Sequence, residues 1–234
     1  MADPATTAEL RHRRVTGVLG LLAGLFTVLP IPLWFVYDGA APDGNILTRI
    51  LLTLIGIAFY VAFAAALRTL VSRRDPSLEW VGTLAFGTAL LYAVLVMVSL
   101  SLEGGTAIAS VAPVDPTQDG PLAPGSFLMY GAIARLVTAM FLIAVSAATW
   151  RTRVVARGVS VLGFAIAVFN LAFVPSVYFG GEASHFYSAV GWGATAFAAS
   201  FQFYWVIAAA IAFLHKPKQP AAAPAPVRQA PAFQ

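Results

Sequence analysis

Apolar residues run through the chain in six long blocks, near Val15–Tyr37, Ile46–Leu67, Trp80–Leu102, Phe127–Trp150, Gly158–Tyr178 and Ala189–Leu214. Each is continuous and bounded by charges, Gly, Pro or aromatics. Each has the roughly 20 residues that a helix needs to cross a hydrocarbon core of about 30 Å. None alternates polar and apolar over about ten residues, which excludes barrel strands. The pattern predicts an all-α fold, a polytopic transmembrane bundle of six helices. Residues 15–214 would form this membrane domain, 1–14 an N-terminal segment and 215–234 a tail. The first block follows Arg11, His12, Arg13 and Arg14, which resembles the start of a signal peptide. Its apolar run exceeds the about 7–15 residues of a cleavable signal, so it reads as an uncleaved first helix.

Composition agrees with the pattern. Of the 234 residues 59% are hydrophobic and 10% charged, with a mean hydropathy of +0.82. A soluble domain carries about 25% charged residues, and a disordered chain is far less apolar. The absence of cysteine removes disulfides, zinc–thiolate sites, iron–sulfur clusters and thiol catalysis. Arginine dominates over lysine and alanine is abundant, a bias associated with GC-rich bacterial genomes.

Charge then predicts orientation. With the N-terminus inside, 12 of the 14 basic residues fall on cytoplasmic segments: Arg11, Arg13, Arg14, Arg68, Arg73, Arg74, Arg151, Arg153, Arg157, Lys216, Lys218 and Arg228. The outer loops would hold Asp38, Asp43, Glu103, Asp115, Asp119 and Glu182. The positive-inside rule therefore predicts both termini in the cytoplasm, with the chain in the inner (plasma) membrane. Residues 38–45 and 179–188 read as tight outer loops, and 68–79 and 151–157 as short basic inner ones. The connection from Glu103 to Ser126 holds Pro113, Pro116, Pro121 and Pro124, and reads as a partly ordered outer cap. The tail KPKQPAAAPAPVRQAPAFQ alternates Pro and Ala, which predicts an extended, disordered segment.

Absences narrow the function. His12, His185 and His215 all lie outside the middle of the blocks, so no histidine pair holds a haem between helices. No lysine lies within a block to carry a Schiff base, and no Asp or Glu lies deep in one, as proton-coupled carriers commonly require. The HExxH motif and the phosphate-binding P-loop are both missing. The sequence predicts no cofactor, no metal site, no catalytic residue and no nucleic-acid partner.

Arg135 is the most unusual residue, eight positions after Phe127 and so roughly 12 Å below the outer boundary. Its insertion costs at least ~2.5 kcal/mol, so it should face other helices and hold a partner. Gly131, Arg135, Thr138, Leu142, Ser146 and Thr149 share one helical face, with Ile133, Val137, Met140 and Phe141 expected toward lipid. Three roles are open to the arginine: a ligand for an anion or polar headgroup, a pin bonded to helix carbonyls or a polar neighbour, or a chain snorkelling outward. Asn170 lies at matching depth, on a stripe with Ser160, Gly163 and Ala167. Gln202 lies deeper, on a stripe with Gly191, Thr195 and Ala198. Both amides read either as interhelical glue or as lining of a cavity with Arg135. Arg49, Thr53, Gly56 and Tyr60 make a third polar face, with Asp38, Asp43 and Glu103 as candidate partners of Arg49.

Pro30, Pro32 and Pro175 mark kinks in the outer half of the bundle. Together these features predict an outward-facing polar recess between the first, second, fourth and fifth helices, drawing on Arg135, Asn170, Arg49, Tyr60 and Gln202. Glu182 and His185 are placed at its mouth, as an acid–base couple or two metal ligands. The aromatics Trp34, Tyr37, Trp80, Trp150, Tyr178 and Tyr187 sit at block ends, as interfacial belts do. Trp192 and Trp205 lie deeper, for packing or lipid contact, or for a quinone or lipid groove.

The join TWRTRVVARGVSVLGFAIAVFNLA brings an arginine-bearing turn into a glycine-containing helix. Over about residues 127–178 the chain resembles uncharacterised six- or seven-helix bacterial membrane proteins grouped as a domain of unknown function. That family carries no established catalytic residues to transfer. The primary expectation is a non-catalytic membrane protein, an accessory, assembly or envelope factor. Its partners would be the lipid bilayer and either a membrane protein or a second copy of itself. The alternative is a small permease or flippase for an anionic or amphipathic solute with Arg135 as ligand. No repeat of the first three helices in the last three supports it. A membrane-embedded enzyme using Glu182 and His185 or Glu103 is the weakest reading.

Overall fold

The structure, a computed structural model, describes residues 4–37 and 39–215. Asp38 and the Pro/Ala-rich tail from Lys216 lie outside the described residues, and with them the expectation of a disordered tail. Seven α-helices follow in order: α1 Pro4–Val28, α2 Asp43–Arg74, α3 Glu79–Ala109, a one-and-a-half-turn α4 Ala123–Leu128, α5 Ala134–Thr152, α6 Arg157–Phe173 and α7 Ala198–Leu214. Short 3₁₀ or π turns continue four of them, at Ile31–Phe35, Met129–Ile133, Val174–Tyr178 and Gly193–Phe197. Among the described residues there is no strand. With these continuations, six stretches are long and apolar enough to cross a membrane: Thr7–Phe35, Asp43–Arg74, Pro76–Ala109, Ala123–Thr152, Arg157–Tyr178 and Gly193–Leu214.

The second and third helices run well beyond their apolar blocks, because a hydropathy pattern sees only the part matched to hydrocarbon while the helix continues through its charged ends. The sixth stretch begins at Gly193 rather than at Ala189. Residues 179–192 instead fold back in tight turns and push Ser188, Ala189 and Val190 into the protein. Bonds from Ala189 N to Gly180 O (2.9 Å) and from Gly193 N to Phe186 O (3.2 Å) satisfy the backbone that this burial would otherwise strand.

The helices close into a ring: α1 packs on α2, α2 on α3, α3 on α5, α5 on α6, α6 on α7 and α7 back on α1. α5 also touches α2 and α7, which makes it the central helix. Of its 19 residues 13 are buried, leaving one narrow exposed stripe of Leu136, Met140, Ile143 and Trp150, with Arg151 exposed at its end. Val137 and Phe141, expected toward lipid, are 5% and 1% exposed and belong to the core. The cause is general: in a membrane helix the residues facing lipid and those facing other helices are equally apolar, so polarity alone marks only the middle of the packed face.

The aromatic core stands beside α5. Tyr60 meets Tyr92, Phe141 and Phe203 edge-on, with ring centroids at 5.9, 5.4 and 5.7 Å, and Trp205 meets Phe141 at 6.0 Å. Trp205 is therefore a packing residue, fully buried, its indole N–H bonded to Val159 O at 2.9 Å, while Trp192 remains half exposed. On the other side, Gly17, Gly20 and Gly24 of α1 lie against Leu214, Ala210 and Ile207 of α7 so closely that a Cβ at any of them would overlap its neighbour.

One end of the bundle gathers the basic clusters. There Arg13 Nη1 donates to Val154 O (2.9 Å), the His12 ring meets Ala66 O (3.2 Å), and Arg68 pairs with Glu79 (3.6 Å) and Arg74 with Glu9 (3.9 Å). The starts of α1 and α3, the end of α2 and the α5–α6 turn thus meet at this basic end. The helix breaks lie toward the far end.

Candidate functional site

The site grows from a break in the fourth span. At Gly131 the backbone leaves the helical region, with φ −83° and ψ −118°, inside the π turn Met129–Ile133. Only glycine fits: a Cβ there would stand 2.6 Å from the backbone oxygen of Ala189. That oxygen instead accepts the Ala132 N–H at 3.3 Å, tying the break to the folded-back turns before α7.

One turn on, Arg135 spreads across the break. Its Nε donates to Gly131 O (3.3 Å), Nη2 to Tyr130 O (3.2 Å) and Nη1 to Asn170 Oδ1 of α6 (3.1 Å). Each nitrogen of the guanidinium thus reaches a protein oxygen, two of them carbonyls of the break itself. Asn170 is oriented for this by its own Nδ2, which donates to Ile166 O at 2.9 Å. Arg135 and Asn170 are both 0% exposed. Among the described residues no carboxylate lies within 4.0 Å of the guanidinium. The phenols of Tyr92 and Tyr130 flank it. The charge is therefore stabilised by dipoles rather than by a counter-ion.

A second network continues along α5. Thr138, one turn past Arg135, donates to Gln202 Oε1 (2.7 Å), and Gln202 Nε2 donates to the Tyr60 hydroxyl (2.8 Å). This chain joins α5, α7 and α2 in one fully buried line. Further along, Thr149 and Ser160 share a hydrogen bond of 2.9 Å between α5 and α6. Toward the far end, Ser99 and Ser126 clamp α3 to α4, each hydroxyl bonding the other's carbonyl at 3.0 Å.

Of the five residues expected to form one recess, Arg135, Asn170, Gln202 and Tyr60 lie along the same buried belt. Arg49 does not join them. It pairs with Glu103 (3.6 Å, side chains 6% and 5% exposed) and lies over the Trp34 ring at 3.7 Å. The belt is closed rather than open outward, because isolated polar groups among apolar side chains are costly and close on each other. Glu182 and His185 sit on an exposed turn. The Glu182 carboxylate takes the Ser184 hydroxyl (3.1 Å), and the two residues meet through the backbone, His185 N to Glu182 O at 3.2 Å. Among the described residues no group of three or more His, Asp or Glu side chains is placed to hold a metal ion.

The sequence reading missed the break at Gly131, the Thr138 bond to Gln202 and the Tyr92 contact. A glycine four residues before a buried arginine was the available signal for the first. No protein-family model, curated protein or solved structure matches this chain.

Proposed function

We propose that the chain is a non-catalytic, multi-pass protein of the inner (plasma) membrane with both termini in the cytoplasm. It acts as an accessory, assembly or envelope factor through the surfaces it offers to lipid and to neighbouring membrane proteins or further copies of itself. Six apolar helices support the membrane placement. The collection of basic residues at one end supports the orientation through the positive-inside rule. The observation that carries the non-catalytic, non-transporting reading is the enclosure of Arg135, 0% exposed with all three nitrogens on protein oxygens. In that state it is a pin for a broken helix, and a solute reaches it only if helices part.

The permease reading keeps one specific observation. The break at Met129–Ile133, beside Arg135, touches both Val174–Tyr178 and Gly193–Phe197, and broken helices flank the solute sites of many transporters. Thermal unfolding and anion flux of the reconstituted protein separate the two. The pin predicts a lower melting temperature for Arg135→Gln and no anion flux above empty vesicles for the wild type. A permease predicts wild-type flux that Arg135→Gln abolishes at an unchanged melting temperature.

A further inference from the structure

At the basic end, α2 and α3 diverge around a groove of about 420 Å³ lined by Ala65, Arg68, Thr69, Ser72 and Arg73 of α2 and by Glu79 and Phe86 of α3. The α2 residues fall at spacings of three and four, so they form one face. The groove is amphipathic along its length. Ala65 and Phe86 form an apolar floor, and each lies seven residues deeper along its helix than Ser72 or Glu79, about 10 Å. The rim is polar and carries two arginines against one glutamate.

The charges are unequally used. Arg68 is already paired with Glu79 across the groove at 3.6 Å. Arg73 is exposed, and among the described residues it has neither an ion pair nor a hydrogen bond. The Ser72 hydroxyl is shielded from water and also lacks a partner. The groove therefore offers one unneutralised cation at the polar end of two apolar spans, above an apolar floor about 10 Å deeper along the helices. We propose that it is a binding site for a phospholipid with a net-anionic phosphodiester headgroup, such as phosphatidylglycerol. The phosphate meets Arg73 and Arg68, and an acyl chain lies along Ala65 and Phe86. The net charge of the rim selects this headgroup over a zwitterionic one, and the apolar floor selects a lipid over a free phosphate ester. The site rests on the membrane placement proposed above and is independent of the role of Arg135.

Native mass spectrometry of the purified full chain in detergent tests it, with phosphatidylglycerol, phosphatidylethanolamine, phosphatidylcholine and free glycerol phosphate as probes. A basic residue near an anionic headgroup is worth about fivefold in affinity. Phosphatidylglycerol should therefore bind most tightly. Arg73→Ala should weaken it about fivefold and Arg73→Lys should restore it. Glu79→Gln should tighten it by removing the one acidic group on the rim. Arg11→Ala, which removes an exposed charge at the same end but outside the groove, should change nothing. Equal binding of phosphatidylcholine would overturn the proposal, as would an Arg11→Ala loss matching that of Arg73→Ala. Preference for phosphatidylethanolamine would show that Glu79 takes an ammonium and that the headgroup assignment is wrong. Binding of free glycerol phosphate as tight as that of the lipid would show a plain phosphate site.

Discussion

Arg135 and Gln202 solve the same problem at one residue each: a polar group in an apolar interior is costly to bury unless protein partners meet it. Gln202 bridges Thr138 and Tyr60 at 2.7 and 2.8 Å, so Gln202→Leu strands two hydroxyls at once. Interhelical bonds in membrane proteins average about 0.6 kcal/mol and reach about 1.7. Gln202→Leu is expected to lower stability by about 1–2 kcal/mol in detergent unfolding. At the basic end, Asp75 lies between two spans, and its carboxylate accepts the Ser77 hydroxyl (2.6 Å) and backbone N–H (3.0 Å). The hydroxyl bond holds its pKa below the ordinary carboxylate value. A depressed pKa gives a stabilisation that is present above the unfolded value of about 3.9 and is lost as pH falls through the folded one. Ser77→Ala should raise the Asp75 pKa, read by NMR titration of the carboxyl carbon. At this scale the sequence was informative where a polar side chain interrupted an apolar run, as Arg135 and Asn170 do at equal depth. It put Thr138 on the same face as Arg135 but gave no sign of its partner Gln202, and it was silent on Tyr92, because Tyr is common in membrane helices and does not stand out.

The helices are set by two backbone devices. The first is the close approach of α1 to α7. A Cβ on Gly20 would lie 2.9 Å from the Cβ of Ala210 and from the Phe63 ring, so Gly20→Ile must force these helices apart. Overpacking of this kind costs about 1–3 kcal/mol, and a matching fall in unfolding free energy is expected. The second is the break at Gly131. Gly131→Ala drives a methyl into Ala189 O, a backbone atom that cannot rotate away, and should lower the melting temperature as well. The proline interruptions at Pro30, Pro32 and Pro175 could be read from the chain because a missing N–H and a fixed φ act locally. The π turns at 129–133 and 193–197 were harder to read: each holds a glycine, but only the tertiary fit shows that a Cβ at Gly131 or Gly193 would meet a backbone oxygen. Val137 and Phe141 face the core rather than lipid, which polarity alone does not distinguish.

For the molecule as a whole, six spans could be read because a bilayer demands about 20 apolar residues in succession. The ring order and the central position of α5 could not, because lipid-facing and helix-facing surfaces share one composition. The proposed orientation puts Arg11 inside and Gln118 outside, both at exposed or loop positions. Single cysteines placed there in this cysteine-free chain should be labelled by an impermeant maleimide only at 118 in intact cells. Labelling at 11 under the same conditions would invert the topology. The central claim is that the buried polar belt holds the bundle together, with Arg135 as its pin. The most direct measurement is a double-mutant cycle between Arg135→Gln and Asn170→Leu, read as unfolding free energy in detergent. The account predicts that both single variants are less stable than the wild type and that the pair couples by about 0.6–1.7 kcal/mol. Additive effects, or an Arg135→Gln variant as stable as the wild type, would contradict it.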